Sequence, residues 1–202
     1  MAIDLSLVAA ALHGSDVAAQ NEAVAAAIAA GGAAVPTLLS LWDEPGVARS
    51  QVMYALERIA DARAQGVFEA GLHDSDERVR AYAARGLAGL GHPGALAALL
   101  ATLNDAADPM HLDRTPSVEA LADFGLDAVA PLLERLLDED PMTRLHAQRA
   151  LELIVARHLS PADDEAVRSV WQQHGNYAWD ADVERRRAAV ASWRTWLDQE
   201  RR

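Results

Sequence analysis

The sequence predicts an all-α solenoid, a right-handed superhelix of about five helical hairpins closed by a further C-terminal pair of helices. Three observations carry that expectation. The composition favours helix, since alanine is abundant, β-branched residues are sparse and aromatics make up only 5% of the 202 residues. An aspartate stands six residues before an arginine four times, at Asp43 and Arg49, Asp74 and Arg80, Asp108 and Arg114, and Asp138 and Arg144, with the aspartates 31, 34 and 30 residues apart. Behind each arginine, apolar residues recur at helical spacing, with Leu56, Leu87, Leu121 and Leu151 seven positions on and Ile59, Leu90, Phe124 and Ile154 ten positions on. Offsets of 0, 3, 7 and 10 mark one face of a helix, so each arginine opens an amphipathic helix.

In chain order, the repeats fall at about 2–31, 32–61, 62–91, 92–125 and 126–157, inside a single domain covering 1–202. The first echoes the third, Leu12-His13-Gly14-Ser15-Asp16 against Leu72-His73-Asp74-Ser75-Asp76, but carries Gly14 and Gln20 where later repeats carry the Asp and Arg. Such a departure suits an N-terminal capping repeat. Apolar runs such as Val35 to Leu41 and Ala130 to Leu137 supply the first helices, and Gly31, Gly91 and Gly125 stand at helix ends. The fourth repeat has an enlarged turn, 104–115, followed by Pro116. Proline is tolerated in the first turn of a helix, so this second helix is expected to start late, with Thr115 as its N-cap. From Ser160 the period breaks. Ser160-Pro161-Ala162-Asp163 reads as a helix N-terminus, a turn-rich loop runs from His174 to Ala181, and Val183, Val190, Trp193 and Leu197 recur at helical spacing, giving a capping pair over 160–202.

Val79 and Arg80 behind an aspartate turn, followed by Ala83, Ala84, Leu87, Leu90 and Gly91, resemble the HEAT repeat family. The likeness is to its short bacterial form, the type also seen in phycobilisome lyases, and it extends over roughly 1–157. The resemblance implies an α-α superhelix of HEAT-like hairpins. It also implies that turn Asp and second-helix Arg hydrogen-bond between neighbouring repeats as a ladder, a role carried onto the four pairs above. Regular recurrence favours that structural role over four copies of an acid–base site.

Composition narrows the function classes. All 18 basic residues are arginine, a pattern of high-GC bacterial coding. The net charge of -12 opposes a phosphate backbone and so speaks against nucleic acid as a partner. With no cysteine there is no disulfide, thiol nucleophile or thiolate metal site. Met1 to Leu12 has no basic n-region, so no secretory signal is read there and a cytoplasmic location is expected. Ala23 to Trp42 is uncharged, but Gly31, Gly32 and Pro36 interrupt it and no membrane role is expected. HEAT-like deoxyhypusine hydroxylases hold iron through His-Glu pairs. None of the seven histidines here precedes a glutamate and no HExxH is present, so neither metal nor cofactor is expected.

The expected function is a non-catalytic protein-binding scaffold or adaptor that recognises a macromolecular partner on its concave face, with no catalytic residue. Offsets 2, 5 and 9 from each arginine fall opposite the core row and select Gln51, Tyr54, Arg58, Tyr82, Arg85, Glu119, Asp123, His146 and Arg149. Tyrosine and arginine are common interface anchors. From Asp105 to Asp140 ten acidic residues stand against Arg114 and Arg135, a charge excess suited to a partner with a basic surface. Near the C-terminus, Trp171, Trp193 and Trp196 are expected to seal the last repeat, leaving Tyr177 and Trp179 as an exposed pair in the loop and a second contact. The alternative is a HEAT-fold enzyme or enzyme subunit, bilin-lyase-like or DNA-glycosylase-like. The glycosylases use a basic groove that this composition does not supply.

Overall fold

Twelve α-helices and three short 3-10 segments make up the computed structural model, which describes residues 4–159 and 164–201. The described residues hold no β-strand, only an isolated bridge between Asp108 and His111. In chain order they are α1 (Leu5–His13), α2 (Val17–Ala30), α3 (Val35–Trp42), α4 (Arg49–Ile59), α5 (Gln65–Gly71), α6 (Glu77–Gly89), α7 (Ala95–Ala101), α8 (Pro116–Leu121), α9 (Leu126–Arg135), α10 (Pro141–Leu159), α11 (Asp164–Gln173) and α12 (Val183–Glu200). The predicted hairpins α1 with α2, α3 with α4, α5 with α6 and α9 with α10 pack helix against helix. The sequence-predicted helix start at Ser160-Pro161-Ala162-Asp163 lies outside the described residues. Two compact units divide the chain between Ala98 and Leu99, inside α7.

In the first unit the second helices form a layer, with α4 packed against both α2 and α6. Local chemistry sets where each begins. The recurring Ser-Asp of the sequence echo places Asp16 and Asp76 as N-caps of α2 and α6, their carboxylates accepting backbone N–H bonds from Ala18 and Arg78. Gly31, with φ 58° and ψ -135°, ends α2 in a conformation that a side chain disfavours. Between α2 and α3 the chain bends by 118°, and among the described residues no single helix is long and apolar enough to cross a membrane. The core of this unit is built from Leu12, Leu38, Met53, Leu56, Phe68 and Leu87.

In the second unit, α10 packs on α8, α9 and α11, and α12 lies against α9. Thr115 is buried and its hydroxyl accepts from Val118 N–H while donating to the Leu103 carbonyl, so the predicted late start of α8 has the expected cap, with Pro116 in its first turn. Leu121, Leu132, Leu133, Leu151 and Ile154 fill the core, and Trp171, Trp193 and Trp196 join it, with Trp193 completely buried. Their rings stand 5.0 Å (Trp171 to Trp193) and 5.2 Å (Trp193 to Trp196) apart. The row of leucines seven positions after each arginine is buried throughout. Of the row ten positions on, only Ile154 is buried, because Ile59, Leu90 and Phe124 fall at or beyond the ends of their α-helices.

The expected ladder has a rung at Arg49, and the other pairs depart from the period. Arg49 pairs with Asp74 of the next repeat at 3.0 Å, on a carboxylate only 6% exposed, and lies 4.0 Å over the Trp42 ring. Arg80 and Arg144 also clamp their own turns, donating to the carbonyls of Asp74 and Asp138 at 2.9 Å in each case. Gln20 does the same to Gly14 at 2.7 Å, so the first repeat keeps the intra-repeat half of the motif. Past the last turn aspartate, Arg144 donates through Nε to the Trp179 carbonyl at 2.8 Å. The third pair is a correction. Asp108 and Arg114 form no rung, because the enlarged turn closes on itself. The Asp108 carboxylate accepts from Met110 N–H and faces His111, and its backbone N–H donates to the Arg114 carbonyl.

Candidate functional site

Burying Val52, Met53, Ala55 and Leu56 on α4, and Val79, Ala83, Ala84 and Leu87 on α6, turns a second face of these adjacent helices outward. The predicted residues Gln51, Tyr54, Arg58, Tyr82 and Arg85 lie there; Arg58 is exposed and the others are half-buried. The half-burial follows from the side-by-side packing of the second helices, which flanks each side chain with its neighbour's. Tyr54 and Tyr82 stack at a tilt, ring centroids 5.1 Å apart at 52°. Gln51 donates to Asn21 Oδ1 at 3.2 Å, extending the row to α2.

Between the two tyrosine-bearing helices sits Glu57, which the sequence reading missed. Its Oε1 pairs with Arg85 at 3.2 Å, and the Glu57 side chain is only 10% exposed. Its second oxygen, Oε2, is buried without a hydrogen-bond partner. Burial raises the Glu57 pKa above its ordinary 4.5, against the opposing pull of Arg85 and then Arg58. Tyr82 is raised as well, first by burial and then by Tyr54, with Arg78 and Arg85 opposing. The signal for Glu57 was available as a complementary charge, Glu57 of one second helix opposite Arg85 of the next. The offsets considered on α4 skipped position eight, which lies at the margin of the core row.

The same offsets in the second unit do not assemble an equivalent face. Glu119 is exposed on α8, and Asp123 is exposed in the 3-10 segment Ala122–Phe124, where it is ion-paired with Arg157. Arg149 pairs with Asp113 at 3.3 Å and Glu152 at 3.2 Å. His146, expected in solvent, is buried at 1% exposure. Its Nε2–H donates to the Leu112 carbonyl and its Nδ1 lies 2.7 Å from Asn104 Oδ1, so the ring fastens the enlarged turn to α10. Burial lowers its pKa, with the Leu112 carbonyl, Asp113 and Asp140 opposing. A cleft of about 260 Å³ lies here, lined by Arg114, Val118, Glu119, Arg149, Leu153 and Arg157.

Tyr177 is also a correction. It is 3% exposed, and its hydroxyl donates to the Leu136 carbonyl at 2.6 Å, which holds the loop before α12 against the end of α9. Trp179 is half-buried, and its backbone is tied on both sides, its N–H donating to Gln148 and its carbonyl accepting from Arg144. A cleft of about 590 Å³ opens beside this loop, walled by residues including Asn176, Arg185 and Ser192.

The acidic run is largely committed inside the protein. Asp113 and Asp123 bind Arg149 and Arg157, Glu134 binds Arg194 and Asp138 binds Arg135. Asp140 caps α10, accepting from Met142 and Thr143. Among the described residues, no three His, Asp or Glu side chains are grouped to hold a metal ion. Residues 64–152 match the family model for HEAT repeats. No curated protein matches the chain.

Proposed function

We propose, on the premise that residues 64–152 are HEAT repeats, that the chain is a non-catalytic protein-binding scaffold receiving its partner on the face shared by α4 and α6. HEAT repeats commonly bind proteins, and stacked second helices present a continuous surface suited to that use. The observation that supports this face is the half-exposed Tyr54 and Tyr82 pair, 5.1 Å apart, with Arg58 and Arg85 on the same helices. Tyrosine and arginine are the side chains most often found to anchor protein interfaces. The cleft lined by Arg114, Arg149 and Arg157 in the second unit lacks such an aromatic platform.

The test is affinity capture from the source cell with the full chain, repeated with Tyr82→Ala/Arg85→Ala. Loss of the captured protein by about tenfold or more, with an unchanged circular-dichroism spectrum, is the expected result. A partner retained at full affinity by the double variant refutes this face.

A further inference from the structure

Resting on that reading, we infer that the partner segment seated on α4 and α6 is acidic and extended, with carboxylates at Arg58 and Arg78. In a chain of net charge -12, these two helices carry Arg49, Arg58, Arg78, Arg80 and Arg85 against Glu57 and Glu77 alone. Arg49 is occupied by Asp74 and Arg85 by Glu57. Arg58 and Arg78 are exposed, and their side chains make no hydrogen bond or ion pair among the described residues. Both lie close enough to act electrostatically on the cluster, Arg58 on Glu57 and Arg78 on Tyr82. An anionic group arriving here meets guanidinium groups free to form charge-assisted, bidentate bonds.

Glu57 and Arg85 are paired with each other, so the cations left free on these two helices are Arg58 and Arg78. A lysine or arginine side chain of a partner would bring a further cation among Arg58, Arg78 and Arg85, where a carboxylate is drawn in. The tilted Tyr54 and Tyr82 rings supply a rigid platform beneath an extended chain. Four of the ten acidic residues in 105–140, Asp113, Asp123, Glu134 and Asp138, are ion-paired with Arg149, Arg157, Arg194 and Arg135, away from this face.

Fluorescence anisotropy of the full chain with three labelled, capped decapeptides tests this. One alternates Asp with Ala, one Asn with Ala and one Lys with Ala. The Asp peptide is expected to bind about tenfold more tightly than either other, and Arg58→Gln/Arg78→Gln is expected to weaken it about fivefold or more. Both arginines are exposed, so the variant should keep the wild-type thermal melt. Three results overturn the inference: no Asp-peptide binding up to about 1 mM, equal or tighter Lys-peptide binding, or Asp-peptide binding indifferent to the two substitutions. The capture experiment separates this failure from that of the face itself. A partner lost by Tyr82→Ala/Arg85→Ala but kept by Arg58→Gln/Arg78→Gln leaves the face standing and refutes the acidic ligand, whereas a partner kept by both refutes the face.

Discussion

Gly86 sits in the interior of α6, directly after Arg85, where alanine ordinarily stabilises a helix by about 1 kcal/mol over glycine. Here the opposite sign is expected. A Cβ built at Gly86 would lie 2.5, 2.6 and 2.6 Å from Cε1, Cδ1 and Cζ of Phe68, whereas carbon atoms in contact prefer about 3.5–4.0 Å. The ring is wholly buried and must move by about 1 Å within a close-packed core. Overpacking of this kind costs about 1–3 kcal/mol, and three ring carbons in conflict place it at the upper end. Subtracting the helix gain leaves Gly86→Ala destabilised by about 2 kcal/mol. Gly89, exposed at the end of the same helix with nothing within 4 Å of its Cβ position, is the control, and Gly89→Ala should gain up to about 1 kcal/mol. Urea midpoints followed by circular dichroism at constant slope measure both. Adding Phe68→Leu to Gly86→Ala should recover at least about 1 kcal/mol of coupling. A Gly86→Ala protein as stable as wild type would refute the close approach of α5 to α6 that fixes where Tyr82 and Arg85 stand.

Three further outcomes follow from single contacts. Thr115→Val removes the α8 cap and leaves the Leu103 carbonyl without its donor, a loss of about 2 kcal/mol in the urea midpoint that Thr115→Ser should largely restore. Tyr177→Phe should cost about 1 kcal/mol. Burial pushes the Tyr177 phenol up to about 12, so in an ultraviolet titration it should ionise late, and its contribution to stability is present below the ordinary 10 and lost as pH rises through 12. Glu57 binds its proton more tightly folded than unfolded, so its contribution is fully present below 4.5 and declines as pH rises through the raised folded value. The stability of wild type relative to Glu57→Gln should therefore fall over that interval, and a difference independent of pH would contradict the burial of this carboxylate.

The parts of the fold that recur were legible because recurrence multiplies a weak signal. The helix pairs, the Arg49 to Asp74 rung and the buried leucine row all follow from a period close to thirty. Thr115 was legible from local chemistry alone, since Pro116 needs a cap ahead of it. What escaped depends on contacts distant in sequence. His146 occupies an offset that solvates in other repeats, yet the enlarged turn folds over it and supplies Leu112 and Asn104 as partners. Tyr177 lies in a turn-rich stretch, where exposure is the usual expectation, and reaches back to Leu136. Neither contact leaves a local mark in the chain. Asp108 and Arg114 kept their spacing while the insertion between them changed its meaning, so spacing without loop length misassigned the pair.

Net charge misdirects attention here for a physical reason. Aspartate is the residue that caps helices and closes turns, and a chain of short hairpins needs it at nearly every junction. Asp4, Asp16, Asp61, Asp76, Asp140 and Asp182 all accept backbone N–H bonds at such starts. Acidity in this protein is thus largely a consequence of its architecture, concentrated in turns. Arginine is distributed differently. Much of it stands on second helices, where Arg49 pairs with the next repeat and Arg80 and Arg144 clamp their turns. Among the arginines that this scheme leaves over are Arg58 and Arg78, on the helices that carry Tyr54 and Tyr82. Recognition can act only on side chains that folding leaves free. On the face we propose for binding, the exposed Arg58 and Arg78 thus weigh more than the net charge of the whole chain, and an acidic partner complements them.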